Sequence, residues 1–395
     1  MPWLTLLGIA ATAGCSDSDA ATAAGSTPTG GAAGSAGESV GGATGEVGGA
    51  SSTGGVTLGP AITGLPARTW TWVPFAEAHC RDGSSTGIGV NANPDSDRLM
   101  IFLAGGGACF NAATCGLTTS AFNEDNFRAL LDDIASGVGT GIFDRNDLTS
   151  PVKDWNFVAV PYCTGDVHAG NNPDGSISGA GAQQFVGYAN LGLYLQRIVP
   201  TFPGVVQVLL TGVSAGGFGA FANYDQVTRY FDSVPVVMLD DSGPLMDAPY
   251  LADCLAQQFR AQWGLDRTLL VDCGADCPDS SHYLMDFARH IVRRHPSVPF
   301  ALVDSTADQV ITMFFGFGAN DCTAFASLSE ATFTAGLEDI RTKLAEYTNF
   351  GAFVFSGAAH GSLHTAAFGT LAVSDTTLKD YVAALLNGQV SNVGP

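Results

Sequence analysis

Residues 205–217 read Val-Val-Gln-Val-Leu-Leu-Thr-Gly-Val-Ser-Ala-Gly-Gly, and no other stretch of the chain narrows the fold so far. The apolar, β-branched run predicts a strand buried on both faces, as in a parallel sheet. Gly212 and Gly216 flank Ser214, and Phe218 to Phe231 can continue as a helix. A strand that turns into a helix within so few residues holds the intervening serine in a strained conformation, with Oγ exposed at the carboxyl end of the sheet. Gly-x-Ser-x-Gly by itself also fits an ordinary turn in a glycine-rich chain. Strand, turn and helix in this order make Ser214 a candidate nucleophile.

Similar apolar runs recur and predict further strands at Leu99–Leu103, Asn156–Tyr162, Val205–Thr211, Val234–Leu239, Phe300–Val303 and Ala352–Phe355. Helical spacing of apolar residues marks Gln183–Ile198, Tyr283–Arg294 and Phe333–Tyr347. The alternation predicts an α/β fold with a mostly parallel central sheet and helices on both faces. Functional groups in such sheets gather beyond the carboxyl ends of the strands. After the Phe300 strand come Asp304 and Asp308, and after the Ala352 strand come His360 and His364. The chain order is then Ser, Asp, His, the order of α/β-hydrolases. A serine hydroxyl is a weak nucleophile until an imidazole takes its proton, and the imidazole needs a carboxylate on its other nitrogen to fix its tautomer. His364 competes with His360 for the base. Asp304 and Asp241 compete with Asp308 for the acid, although Asp304 also reads as a cap for the next helix and Asp241 as a brace between loops. Gly105-Gly106-Gly107 closes the Leu99 strand and can turn backbone N–H groups toward one point; with the N–H of Ala215 it would form an oxyanion hole.

The rest of the chain points to an exported enzyme. Residues 1–15 form a short apolar leader ending at Cys15, read as a lipoprotein signal with a plain secretory signal as the alternative. Residues 16–59 are almost entirely Gly, Ala, Ser and Thr, a composition that cannot offset its ordering entropy and reads as a tether. Residues 60–395 form the single folded domain. Net charge is −21; the tether holds Asp17, Asp19, Glu38 and Glu46 and no base, which leaves about −17 on the domain. A surface of that sign disfavours nucleic acid and anionic headgroups. Apart from Cys15 there are eight cysteines, an even number that suggests disulfides in an oxidising compartment. Cys273 and Cys277 with His282 resemble half a zinc site, but no further ligands show metal spacing, so no metal is expected. Phe110, Trp155, Phe185, Phe218 and Phe314 read by default as core packing, with a place in the lining of an acyl pocket as the alternative for each.

Several segments together resemble the pectin acetylesterase/Notum family of α/β-hydrolases. They are Leu-Ala-Gly-Gly-Gly-Ala-Cys-Phe-Asn at 103–111 with Cys115, Pro-Tyr-Cys-Thr-Gly-Asp at 161–166, Thr-Gly-Val-Ser-Ala-Gly-Gly at 211–217, Asp-Asp-Ser-Gly at 240–243, Ala-Asp-Gln-Val-Ile at 307–311 and Gly-Ala-Ala-His at 357–360. The resemblance implies Ser214 as nucleophile, Asp308 as acid, His360 as base, and Gly106, Gly107 and Ala215 as the oxyanion hole. It also implies bridges Cys80–Cys163 and Cys109–Cys115. Where the family usually carries an aromatic residue this chain has Gly107-Ala108, which implies a reshaped acyl pocket. The expected function is hydrolysis of oxygen esters without a cofactor, by a secreted or surface-anchored monomer. Its first expected substrate is an acetylated polysaccharide; a longer acyl ester or polyester, or a catalytically silent binding role, are the alternatives. A lipid at Cys15 is the one expected link to a membrane.

Overall fold

The computed structural model describes residues 55–135, 141–278 and 282–395. The predicted leader with Cys15, and the tether as far as residue 54, lie outside the described residues. From Gly59 the chain is held to the domain: Gly59 N–H donates to Gln196 O and Ile62 N–H to Thr201 Oγ1. Among the described residues no helix is long and apolar enough to cross a membrane.

The strands are β1 Thr71–His79, β2 Ser85–Asn91, β3 Arg98–Leu103, β4 Asn156–Val160, β5 Asn172–Ile177, β6 Gly181–Phe185, β7 Gln207–Val213, β8 Val236–Asp241, β9 Phe300–Ser305, β10 Phe350–Phe355, β11 Ala372–Val373, β12 Thr376–Thr377 and β13 Asn392–Val393. A nine-stranded sheet runs in the order β1-β2-β4-β3-β7-β8-β9-β10-β13. Within this sheet the β1–β2 and β2–β4 pairings are antiparallel and the others parallel. This is the α/β-hydrolase architecture. The central strands β7 to β10 are buried along nearly their whole length, which is why they read as continuous apolar runs.

Alternate side chains of each strand enter different cores, the consequence of a two-residue repeat. Leu99, Ile101 and Leu103 of β3 join the larger core, where helices Gly187–Thr201, Tyr283–Arg294 and Glu330–Leu344 pack. Met100 and Phe102 face the smaller core, covered by the helix Leu378–Leu386 through Leu378, Tyr381, Val382 and Leu385. Two predicted helices differ from the structure. Gln183 to Phe185 belong to the hairpin β5–β6, turned by Gly179 and Gly181 at φ +81° and +79°, and the helix starts only at Gly187. The helix after Ser214 is two pieces, Ala215–Ala222 and Tyr224–Phe231, divided at Asn223, whose side-chain amide donates to His168 O and Gly219 O.

Four disulfides join Cys80 to Cys163, Cys109 to Cys115, Cys254 to Cys322 and Cys273 to Cys277. The first two are the pairs implied by the family resemblance. Cys273 and Cys277 are consumed by each other, so the half zinc site lacks the free thiolates it requires. Four bridges belong to an oxidising, extracellular setting.

Candidate active site

The turn between β7 and its helix is built by glycines with no room for a side chain. A Cβ at Gly216 would overlap the Leu103 carbonyl, and one at Gly212 the Gly216 carbonyl. The strand and helix thus approach to backbone contact around Ser214. Ser214 itself has φ +58° and ψ −122°, a region sparsely populated by residues with a side chain. Its N–H donates to Asp241 O at 2.7 Å, and it stands at the amino terminus of Ala215–Ala222, where the first N–H groups lack intrahelical acceptors.

Asp308 lies in the loop after β9 and is wholly buried. Its Oδ2 lies 2.7 Å from His360 Nδ1, while Oδ1 accepts the N–H groups of Val310 and Ile311, each at 2.9 Å. One carboxylate therefore caps the helix Gln309–Phe315 and orients the imidazole. The cap reading made for Asp304 belongs to Asp308 instead. Asp304 Oδ1 accepts the Ser305 N–H at 2.8 Å and its Oδ2 is buried without a partner. Burial, with Asp308, Asp240 and Asp241 close by, raises Asp304 well above the usual carboxylate range.

The other sequence candidates take supporting places. Asp241 Oδ2 accepts the N–H groups of Ser362 and Leu363 at 2.7 Å each, and Ser242 Oγ accepts the Gly361 N–H at 3.1 Å. Asp241 is thus the brace of the histidine loop. His364 Nδ1 meets none of these carboxylates: it is buried without a partner, and burial with the nearby His360 lowers the imidazole to about 4. Because Gly361 leaves no space for a Cβ beside Val213, the His360 loop lies directly against the end of β7 that carries Ser214.

Burial pushes the Asp241 carboxyl up to about 6. An unfolded aspartate titrates near 4, so the folded protein holds this proton more tightly and Asp241 contributes less stability as pH rises from about 4 to 6. Asp241→Asn keeps an acceptor for the loop N–H groups. Relative to wild type it is expected to gain on the order of 1–3 kcal/mol in unfolding free energy between pH 4 and 7. Denaturant unfolding at both pH values checks this; an equal difference at both shows an unperturbed carboxyl.

Gly105, Gly106 and Gly107 follow β3 beside the serine. A Cβ at Gly105 would lie 2.6 Å from Val213 O and 2.9 Å from Ser214 Cβ. Gly107 has φ +85°, and a Cβ at Gly106 would meet the Tyr162 ring at 2.7 Å. The loop can approach Ser214 only as bare backbone, the form in which N–H groups meet a developing oxyanion. Cys109–Cys115 closes the segment that follows, and buried Arg81 ties it down by donating to Cys115 O and Thr118 O at 2.6 and 2.5 Å.

Ser214 opens onto a cavity with almost wholly apolar walls. Of the five aromatic candidates Phe110, Phe218 and Phe314 line it, Phe110 and Phe314 while also belonging to the larger core, and Trp155 and Phe185 are core residues only. Phe259, Trp263 and Phe287 line it as well. They sit on helices after β8, where sequence patterning shows only an amphipathic face. Ala108 forms part of the wall where the resemblance implies an aromatic ring elsewhere in the family.

The profile of the pectinacetylesterase family matches residues 69–314. This chain belongs to the pectinacetylesterase family. Among its relatives, the palmitoleoyl-protein carboxylesterase notum2 of Xenopus laevis is 33% identical over 194 residues, 45% of this chain and 37% of that protein. The palmitoleoyl-protein carboxylesterase NOTUM of Mus musculus is 32% identical over 181 residues, 42% of this chain and 34% of its own length. The matches thus span little more than a third of those relatives. The Drosophila Wnt deacylase Notum structure superposes with a TM-score of 0.59 at 19% identity, over 82% of this chain and 93% of that one, a likeness of fold.

Proposed function

We propose that this pectinacetylesterase-family protein is a serine carboxylesterase. The observation that carries the reading is the Asp308–His360 pair at 2.7 Å on loops packed against a strained Ser214 at the mouth of an apolar cavity. Ser214 Oγ attacks the ester carbonyl while His360 Nε2 takes its proton. Asp308 holds the Nδ1–H and stabilises the imidazolium. The N–H groups of Gly106, Gly107 and Ala215 receive the oxyanion. His360 then protonates the departing alcohol, and water clears the acyl-enzyme through the same imidazole. These steps draw on no cofactor. Export, a monomeric state and a lipid anchor at Cys15 complete the proposal.

The cavity favours a longer acyl group over acetyl. Its walls are almost wholly apolar and carry Phe110, Phe218, Phe259, Trp263, Phe287 and Phe314, a lining that suits a hydrocarbon chain, and a long acyl chain is what the Notum relatives are named for. Each buried CH₂ contributes about 0.8 kcal/mol, close to fourfold in kcat/KM. A series of p-nitrophenyl esters from acetate to palmitate is expected to show kcat/KM rising with chain length until the cavity is filled. A maximum at acetate followed by decline returns the reading to a deacetylase of acetylated polysaccharide.

A further inference from the structure

His168 lies outside the triad, in the segment after β4, and is buried. Its Nε2 is 2.9 Å from the carbonyl oxygen of Ala104. A carbonyl only accepts, so Nε2 carries the hydrogen and donates it. Burial holds the imidazole down at about 4, which keeps it neutral at ordinary pH. The Ala104 carbonyl and the Gly105 N–H belong to one planar peptide unit. Fixing that oxygen fixes the plane from which Gly105–Gly107 departs.

The surroundings of His168 hold that bond on both sides. Val167 and His168 have φ +50° and +59°, a conformation rare for non-glycine residues and rarer for a β-branched one. The Asp166 carboxylate holds the turn by accepting the Thr164 hydroxyl at 2.5 Å, the Gly187 N–H at 2.7 Å and the His168 N–H at 3.1 Å. Tyr162 packs its ring 4.9 Å from that of His168 and lies under Gly106, and its hydroxyl accepts the Val167 N–H. On the far side, Asn223 donates to His168 O, and Gly219 of the helix after Ser214 leaves no room for a Cβ beside His168. His168 therefore bridges the nucleophile's helix and the glycine loop.

We propose that His168 is a positioning residue whose Nε2–H, donated to Ala104, aims the Gly106 and Gly107 N–H groups at the oxyanion. The inference rests on the reading of Ser214 as nucleophile and of that loop as oxyanion hole. Its test compares His168→Leu, His168→Asn and His168→Gln with wild type in fluorophosphonate labelling, p-nitrophenyl ester kinetics and thermal unfolding. Leu removes the donor, and Asn places its amide where Nδ1 stood. Both are expected to lower kcat about 10- to 100-fold with KM within about threefold, the scale of a misplaced catalytic group. Gln places an N–H near the Nε2 position and is expected to recover kcat to within about threefold of wild type. If Leu does not fold, the Asn and Gln pair decides. Asn at wild-type kcat, or Gln as slow as Asn at equal stability, overturns the inference while the esterase reading stands. Wild-type protein that takes no label at Ser214 overturns both.

Discussion

Ser214→Ala is expected to lower kcat for ester hydrolysis by at least about a thousandfold and to abolish fluorophosphonate labelling. The residue sits at φ +58°, ψ −122°, so alanine meets the same backbone strain as serine and changes little else. The glycines around it, not its hydroxyl, set the turn, since Gly212 and Gly216 permit the contact of β7, β3 and the following helix. The variant should therefore unfold within about 1 kcal/mol of wild type, as most substitutions without a packing change do. In the proposed mechanism any residual activity would come from the N–H groups of the glycine loop and Ala215 acting on bound ester with water as nucleophile. Undiminished turnover in Ser214→Ala rules out the mechanism.

Asp308→Asn is expected to cost on the order of 10⁴ in kcat while the fold is retained. The two carboxylate oxygens have separable tasks. Oδ1 caps the helix Gln309–Phe315 through Val310 and Ile311, and asparagine caps about as well as aspartate. Oδ2 faces His360 Nδ1, and an amide there donates where the carboxylate accepted. His360 then carries its hydrogen on Nε2, the nitrogen that has to receive the serine proton. The substitution also removes a charge beside buried Asp304 and Asp241, so the unfolding midpoint is expected not to fall. Asp308→Ala loses the cap as well and should cost about 1 kcal/mol of stability in addition. Activity of Asp308→Asn within tenfold of wild type would remove Asp308 from the acid's role and leave Asp241 or Asp304 to fill it.

The parts of this protein legible in its sequence are those where one physical demand dominates. Strands buried on both faces must be apolar throughout, and β3, β4, β7, β8, β9 and β10 were readable to within a few residues. The strands without that demand were not. β1 lies at the sheet edge, alternates between buried and exposed positions and contains Pro74, which an edge tolerates and an apolar-run criterion rejects. β13 has two residues and takes its form from pairing with β10. The hairpin β5–β6 carries Gln183 inward because Arg81 Nη1 donates to it at 2.6 Å, a polar contact from a residue about a hundred positions away. The apolar cavity was half legible: Phe110, Phe218 and Phe314 stood near motifs, whereas Phe259, Trp263 and Phe287 look like any helix's core face until the helices are packed.

The elbow at Ser214 was legible in local sequence, because an apolar run, glycines on either side of a serine and a following helix mark a strand-to-helix turn within a few residues, although the close approach those glycines permit is to Leu103 of β3. The choice among Asp241, Asp304 and Asp308, and between His360 and His364, belonged to the tertiary structure. All five lie at or just beyond the carboxyl ends of strands, and only the direction of each side chain decides which carboxylate meets an imidazole and which meets backbone N–H groups alone. The place of His168 was likewise invisible in sequence. Its partner is a carbonyl 64 positions earlier, and a backbone oxygen leaves no mark on the residue type that carries it.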